Sequence, residues 1–432
     1  VMRLGAIADD VTGACDLAGR VAEAGLPTTV LLPAPPAPGH PSPTTEHHED
    51  VFAGGDDASA CAVVALKVRT APVGQAVDEA TAAAQLLLDA GASLLYQKYC
   101  STFDSTPAGN IGPIADALVA LAGADGTVGT PATPGARRTQ YEGILFADGV
   151  PLAESPMRDH PLTPMRDSSV VRLLAAQTAA PVSLVPWEAV QRGAAEVASA
   201  IGAGHTLVDA LTEGDLDVIA AAILSAPRPV VAAGGAGVGT ALARAAVAAS
   251  GQRVDISRSQ LPEVPVTGRL LLAGSASAAT RAQTAAFAGE RHTLDPLALA
   301  TDDRALDRLR DALAARADHR EPVLIGSAPE VARAQAELGA ERAAALIEGA
   351  LAELAAFAVH ELGYSHLLVA GGETSGAVTA RLGVQRLLVG QQVAPGVPWA
   401  VARSGEREIA LLLKSGNFGG PGLFTDAWEV AP

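Results

Sequence analysis

At 432 residues the chain exceeds what one hydrophobic core usually serves; it is 49% hydrophobic but only 3% aromatic, which suits two domains built from small and branched side chains. Its formal charge of −17 argues against a nucleic-acid partner, which normally demands a basic face, although a few Lys and Arg in a cleft can still hold a small anion. Three cysteines without CxxC spacing (Cys15, Cys61, Cys100) suggest neither a disulfide framework nor a zinc site.

No stretch reads as a membrane span or signal segment, so the expectation is a cytoplasmic protein with no membrane partner. Leu4–Ala8 is an apolar run that ends in Asp9-Asp10, followed by Thr12-Gly13 and an amphipathic pattern to Ala24, which predicts strand, polar turn and helix. A second strand is expected over Thr28–Leu32. Residues 33–58 are rich in Pro, Gly, Ser, Thr, His and Asp without periodicity, and are expected to form a long surface loop with a solvated His47-His48 pair. Strands follow at Ala62–Lys67, Leu94–Tyr99 and Thr127–Gly129, with helices at Gly74–Ala90 and Ile111–Leu121. The Pro-rich segment 131–167 is expected as a loop or hairpin. Strand and helix then alternate through 168–178, 182–185, 187–200, 206–209, 214–224 and 229–232, the pattern of a doubly wound parallel sheet.

Glycines and prolines cluster over 250–268, so domains are drawn at 1–250 and 251–432. The second half is expected to be an α/β domain with a β-rich end. Its strands fall at Leu270–Ala273, 291–294, 322–325, His366–Val369, Leu387–Val389, Trp399–Ala402 and Ile409–Lys414. Helices are expected at 278–288, 301–315 and from 329 to about 360.

Ligands on open α/β sheets sit at the carboxyl ends of strands, and the charged residues collect there. Asp9, Asp10 and Thr12 can accept hydrogen bonds from sugar hydroxyls, with one carboxylate free to act as a general base; capping of the first helix is the competing reading. Lys67, Arg69 and Lys98 close or follow apolar strands, and Lys98 leads into the hydroxyl-rich Ser101-Thr102-Phe103-Asp104. Cations beside such a turn suit a carboxylate-bearing, polyhydroxylated substrate. Arg138 and His160 lie in the irregular middle, where an Arg fork and an acid/base or structural histidine could cover a substrate mouth. Gly274–Ser277, Gly371–Gly376 and Ser415–Gly420 are three glycine-rich turns in one domain, favouring a nucleotide polyphosphate. Gly234–Gly239 matches a dinucleotide fingerprint only loosely.

Taken together these residues resemble the four-carbon acid sugar kinase family. Leu4–Ala14 looks like its opening motif, and Gly371–Gly376 and Leu413–Gly419 like its closing ones. Tyr96–Thr106 and Met157–Met165 look most like the 3-oxo-tetronate branch, with threonate and erythronate kinases as siblings. Arg137 stands where the resemblance leads one to expect glycine, and Val68 replaces a small polar residue. The resemblance implies an N-terminal acid-sugar domain, a C-terminal ATP domain, and transfer to the terminal 4-hydroxyl. It carries nucleotide contacts to Ser275, Gly371, Gly372, Glu373, Thr374, Gly416 and the neighbouring Asn417.

The expected mechanism is in-line phosphoryl transfer with Mg²⁺ bridging ATP phosphates, and no metal-ligating residues of the chain itself are named. Lys67, Arg69, Lys98 and Arg138 hold the substrate carboxylate or screen charge, and Asp10 or Asp104 orients or deprotonates the attacking hydroxyl. Partners are the acid sugar and ATP, with a homodimer left open. Two rivals remain: a binding protein of similar architecture, and an aldolase or isomerase using Lys67 or Lys98 covalently.

Overall fold

A computed structural model of the chain describes residues 2–32, 51–52, 60–159, 163–250, 261–327 and 331–432. The His47-His48 pair, most of the 33–58 stretch and His160 lie outside the described residues. The chain divides into two compact units near residue 260.

In the first unit the main strands are β1 (Arg3–Ala8), β2 (Thr28–Leu31), β3 (Ala60–Ala65), β4 (Leu94–Lys98) and β5 (Gly126–Thr130). After an antiparallel trio, β6 (Arg138–Tyr141), β7 (Ile144–Ala147) and β8 (Val150–Pro151), come β9 (Val182–Val185), β10 (Gly204–Val208) and β11 (Val230–Gly234). The sheet order is β2-β3-β1-β4-β11-β5-β10-β9, parallel throughout. Its strands are nearly continuous runs of Val, Ala and Leu because helices cover both faces. Helices Val73–Asp89 and Ile111–Ala122 bury Leu87, Ile114 and Leu118 with Val64 and Leu95 on one face. Helices Val11–Glu23, Glu213–Leu224 and Ala236–Ser250 carry the buried Leu17, Leu216 and Leu242.

The second unit contains β12 (Arg269–Ala273), β13 (Glu290–Leu294), β14 (Val323–Ser327), β15 (His366–Ala370), β16 (Arg386–Ala394), β17 (Val397–Ser404) and β18 (Arg407–Lys414). They run in the order β13-β14-β12-β15-β18-β17-β16, with β16 and β17 antiparallel additions. Trp399, Phe424 and Trp428 fill the core on one side. Helix Ala340–His360 carries the buried Leu351, Leu354, Ala355 and Val359. Its Glu341–His360 stretch is long and apolar enough to cross a membrane, and 56% of the apolar window is buried inside the protein.

The two units share one winding. In each, the first four main strands in chain order stand in space as second, third, first, fourth: β2-β3-β1-β4 and β13-β14-β12-β15. Connections therefore leave in opposite directions from β1 and β4, and again from β12 and β15. Each such reversal opens a crevice at the carboxyl ends of the strands.

Several expected elements are corrected. The strand read to Lys67 ends at Ala65, because its pairing stops at Ala8, where β1 enters the aspartate turn; Lys67 is exposed two residues later. The helix expected over 187–200 breaks at Gly193 (φ 103°), and the one from 329 to 360 at Gly339 (φ 85°), conformations that L side chains disfavour. Segment 131–167, expected as a loop or hairpin, does form hairpins: it holds the β6–β8 trio, reversed at Glu142-Gly143 and Asp148-Gly149, all four with positive φ.

Candidate active site

The first crevice is built on the ends of β1, β3 and β4. Asp9 and Asp10 follow β1 directly, and Asp10 caps the first helix by accepting from Gly13 N at 2.5 Å. The capping and functional readings of Asp10 thus meet in one residue. Backbone bonds from Leu66 N to Ala8 O and from Val68 N to Asp9 O carry the chain past β1 and deliver Arg69 to the carboxylates. Arg69 Nε donates to Asp9 Oδ2 at 2.8 Å and its Nη2 to Asp9 Oδ1 at 3.0 Å. Nη2 also lies 2.8 Å from Asp10 Oδ2, and Nη1 3.9 Å from Asp104 Oδ2. One guanidinium therefore gathers three carboxylates, which a lysine point charge cannot do with this geometry.

Burial pushes the Asp9 carboxyl up, but Arg69, its hydrogen bonds and Lys98 outweigh this and hold it below the ordinary carboxylate range. Burial likewise opposes the charge on Arg69, and Asp9 with Asp10 keeps its guanidinium protonated far above neutrality. Lys98 ends β4 almost fully buried and donates to Tyr99 O at 2.9 Å. Its Nζ lies 3.2 Å from where a side chain on Gly13 would begin, so that glycine keeps the ammonium approachable.

The turn after β4 is held by Phe103, which adopts φ 51°, uncommon for a bulky residue, and packs edge-on against Tyr99 at 5.2 Å. This fixes Thr102, which donates to Asp104 Oδ1 at 2.5 Å. Burial pushes the Cys100 thiol up to about 12, so it remains protonated beside Thr102 rather than acting as a nucleophile. Ser101 opens the turn half-buried, and Thr12 is buried in the first turn of the helix.

Other expected residues stand apart. The Arg138 guanidinium donates to Ala136 O and faces Asp148 at 3.5 Å, which ties it to its own hairpin. Arg137 adopts φ 59°, the left-handed conformation for which glycine is the usual choice. Gly234–Gly239 serves packing: added side chains would meet Thr130 O at 2.4 Å from Gly234 and Leu216 at 2.6 Å from Gly237.

The second unit brings its three glycine turns to one place. Gly274 N and Ser275 N donate to Ala370 O, and Gly371 N donates to Lys414 O. Ser277 Oγ and Thr280 Oγ1 both donate to Gly416 O, at 2.5 and 2.9 Å. A Cβ on Gly274 would lie 2.1 Å from Thr374 Oγ1, and one on Gly416 2.3 Å from Ser275 Oγ. Helix Gly372–Arg381 begins there without a side-chain cap, and the buried Ser375 Oγ has no hydrogen-bond partner. An uncapped helix start lined by close glycine backbone fits phosphate oxygens. Gly372, Glu373 and Asn417 are exposed around it, and Thr374 is buried.

Lys414 was not singled out by sequence as a site residue. It is fully buried and donates to Thr280 Oγ1 (3.0 Å), Gln283 Oε1 (2.8 Å) and Gly416 O (3.1 Å), while burial lowers it to about 8. Gln283 Nε2 in turn donates to the carbonyls of Phe418, Gly419 and Gly420. Together they brace the last glycine turn.

Two protein-family models match the chain: a sugar-binding N-terminal domain over residues 4–242 and a nucleotide-binding C-terminal domain over residues 270–424. The 3-oxo-tetronate kinases of Pseudomonas fluorescens and Cupriavidus necator are 42% and 43% identical to it, each alignment spanning 98% of this chain and 96% of the relative. A solved structure from Salmonella typhimurium LT2, provisionally described as a tRNA synthase, is 32% identical with a TM-score of 0.82 over 100% of both chains.

Proposed function

Because the chain belongs to the four-carbon acid sugar kinase family, we propose that it transfers the γ-phosphoryl group of ATP to the terminal 4-hydroxyl of 3-oxo-tetronate. The observation that carries this reading is the contrast between the two switch-point crevices: carboxylates and cations in one, glycine backbone in the other. We assign acid-sugar binding to residues 1–250 and ATP binding to 251–432, and place the reaction in the cytoplasm, where ATP is supplied.

Lys98 holds the substrate carboxylate, since Arg69 is already committed to Asp9 and Asp10. Asp10 orients the attacking hydroxyl in preference to Asp104, because its side chain is 28% accessible against 8%. Thr12, Ser101 and Thr102 border the hydroxyl-bearing carbons. Ser275, Gly371 through Thr374, and Gly416 hold the nucleotide phosphates, with Asn417 beside them. A bound Mg²⁺ supplies neutralisation of phosphate charge. Such an ion would be carried on the nucleotide's phosphates, and no residue of the chain is assigned as its ligand. Phosphoryl transfer needs positioning and charge stabilisation more than covalent chemistry, and these residues provide both.

An ADP-release assay across 3-oxo-tetronate, D-threonate and D-erythronate tests the reading. The highest kcat/KM is expected for 3-oxo-tetronate; preference for a sibling acid reassigns the substrate, and no ADP with any of them removes the kinase reading.

Lys414 gives a pH test of the nucleotide half. Below about 8 its ammonium has three protons for three acceptors, and above that value the amine has two. The bracing of Gly416 weakens with deprotonation, so KM for ATP is expected to rise as pH climbs through about 8. Lys414→Met should raise KM throughout and abolish that inflection.

A further inference from the structure

Helix Ile111–Ala122 begins at Asn110, and an Asn in that place ordinarily caps its own helix by accepting a free N–H of the first turn. Asn110 makes no such bond. Pro113 has no N–H to offer, and Gly112 N donates to Gln177 Oε1 at 3.0 Å. Gln177 is held in turn by Nε2 donations to Ser105 Oγ at 2.8 Å and Thr106 O at 2.9 Å. The helix start is therefore capped from a distance, which leaves the Asn110 side chain for another use.

Its amide reaches the loop that follows β3. Nδ2 donates to Val68 O at 2.6 Å and to Ala71 O at 2.9 Å, and lies 3.5 Å from Arg69 O. Ala71 N donates to Val68 O at 3.3 Å, so Val68 to Ala71 form a turn with Arg69 and Thr70 at its centre. One NH₂ group, with two protons for two carbonyls, thus clamps both ends of the turn that carries Arg69. A flipped amide would set its oxygen against the same carbonyls, so the orientation follows from the contacts. Asn110 is 5% exposed and Val68 1%, so little solvent competes for these bonds. Val68 N, 3.1 Å from Asp9 O, pins the turn on its other side to the end of β1.

We propose that Asn110 is a positioning residue for the phosphoryl transfer and acts through Arg69. The amide joins the Arg69 turn to the connection between β4 and the helix, which also carries Asp104. The geometry to be kept is narrow: Arg69 lies 2.8 and 3.0 Å from the two oxygens of Asp9 and 2.8 Å from Asp10 Oδ2. A displacement of about 1 Å in such a constellation can cost about 100-fold in rate. The inference rests on the reading of the Asp9–Arg69–Lys98 cluster as the acid-sugar site, and names what holds that cluster in register.

Steady-state kinetics of Asn110→Ala, Arg69→Leu and the double variant test it. Asn110→Ser is a second form, whose hydroxyl favours the helix start but ends one atom short of the loop. It replaces Asn110→Ala throughout the cycle if that variant does not fold by circular dichroism. The single substitution at Asn110 is expected to lower kcat/KM for the acid sugar about 10-fold or more, with KM for ATP within about twofold of wild type. In the Arg69→Leu background the same substitution should change kcat/KM by less than about twofold, since no guanidinium remains to be positioned. A side chain that only stabilised the fold would multiply the two losses. Multiplicative losses overturn the proposal, as does wild-type kcat/KM in Asn110→Ser. If Arg69→Leu alone keeps wild-type kcat/KM, the reading of the cluster as the acid-sugar site fails first and takes this inference with it.

Discussion

Arg69→Leu is expected to reduce kcat/KM for the acid sugar by about 100-fold or more and to lower the melting temperature. The guanidinium is the shared partner of Asp9 and Asp10 and the cation nearest Asp104 on that side. Removing it leaves negative charge crowded at the ends of β1 and β4, where a substrate carboxylate has to enter. Loss of one preorganised charge partner commonly costs about 10²–10³ in turnover. The stability loss should fall below the ~3–5 kcal/mol of a fully buried pair, because a quarter of the Arg69 side chain remains accessible.

The pH dependence carries its own sign. Asp9 is held below its ordinary range in the fold, so its contribution to stability is complete above about pH 4 and is lost as pH falls through the folded value. In Arg69→Leu the desolvation of Asp9 is no longer outweighed, and acid unfolding should lose that component. Arg69→Lys should recover only part of the activity, since one ammonium cannot reproduce the bidentate fork. Unaltered kcat/KM in Arg69→Leu would remove the cluster from the substrate site.

Gly371→Val is expected to raise KM for ATP by about 100-fold or more. Gly371 sits at φ 132°, outside the range an L side chain adopts without strain, and its Cβ would stand 3.0 Å from Thr374 Oγ1 and 3.3 Å from Ser275 N. A branched side chain there would push apart two of the three turns and fill the space in front of the helix start. Steady-state kinetics at saturating acid sugar checks this, and a KM within twofold of wild type would show that phosphate binds elsewhere.

The strand positions were readable because apolar runs of Val, Leu and Ala end in polar turns, and both sheets are covered on two faces. The crevices were readable for the same reason, since strand-end placement marked Asp9, Asp10, Lys98 and the glycine turns. Lys414 ends β18 as Lys98 ends β4, so that rule would have found it too. The β6–β8 trio agrees with the loop or hairpin expected over 131–167, and Asp148-Gly149 is its local turn signal. The Gly234–Gly239 run matches a dinucleotide fingerprint only loosely, and its glycines answer to close packing, which asks for the same residue as ligand approach does.

The most direct test of the account is calorimetric titration of the wild-type chain, Arg69→Leu and Gly371→Val, separately with a non-hydrolysable ATP analogue and with the acid sugar. The account predicts a crossed result: Gly371→Val loses the nucleotide and keeps the acid sugar, while Arg69→Leu loses the acid sugar and keeps the nucleotide. Loss of the nucleotide in folded Arg69→Leu with acid-sugar binding intact would contradict the assignment of the two crevices.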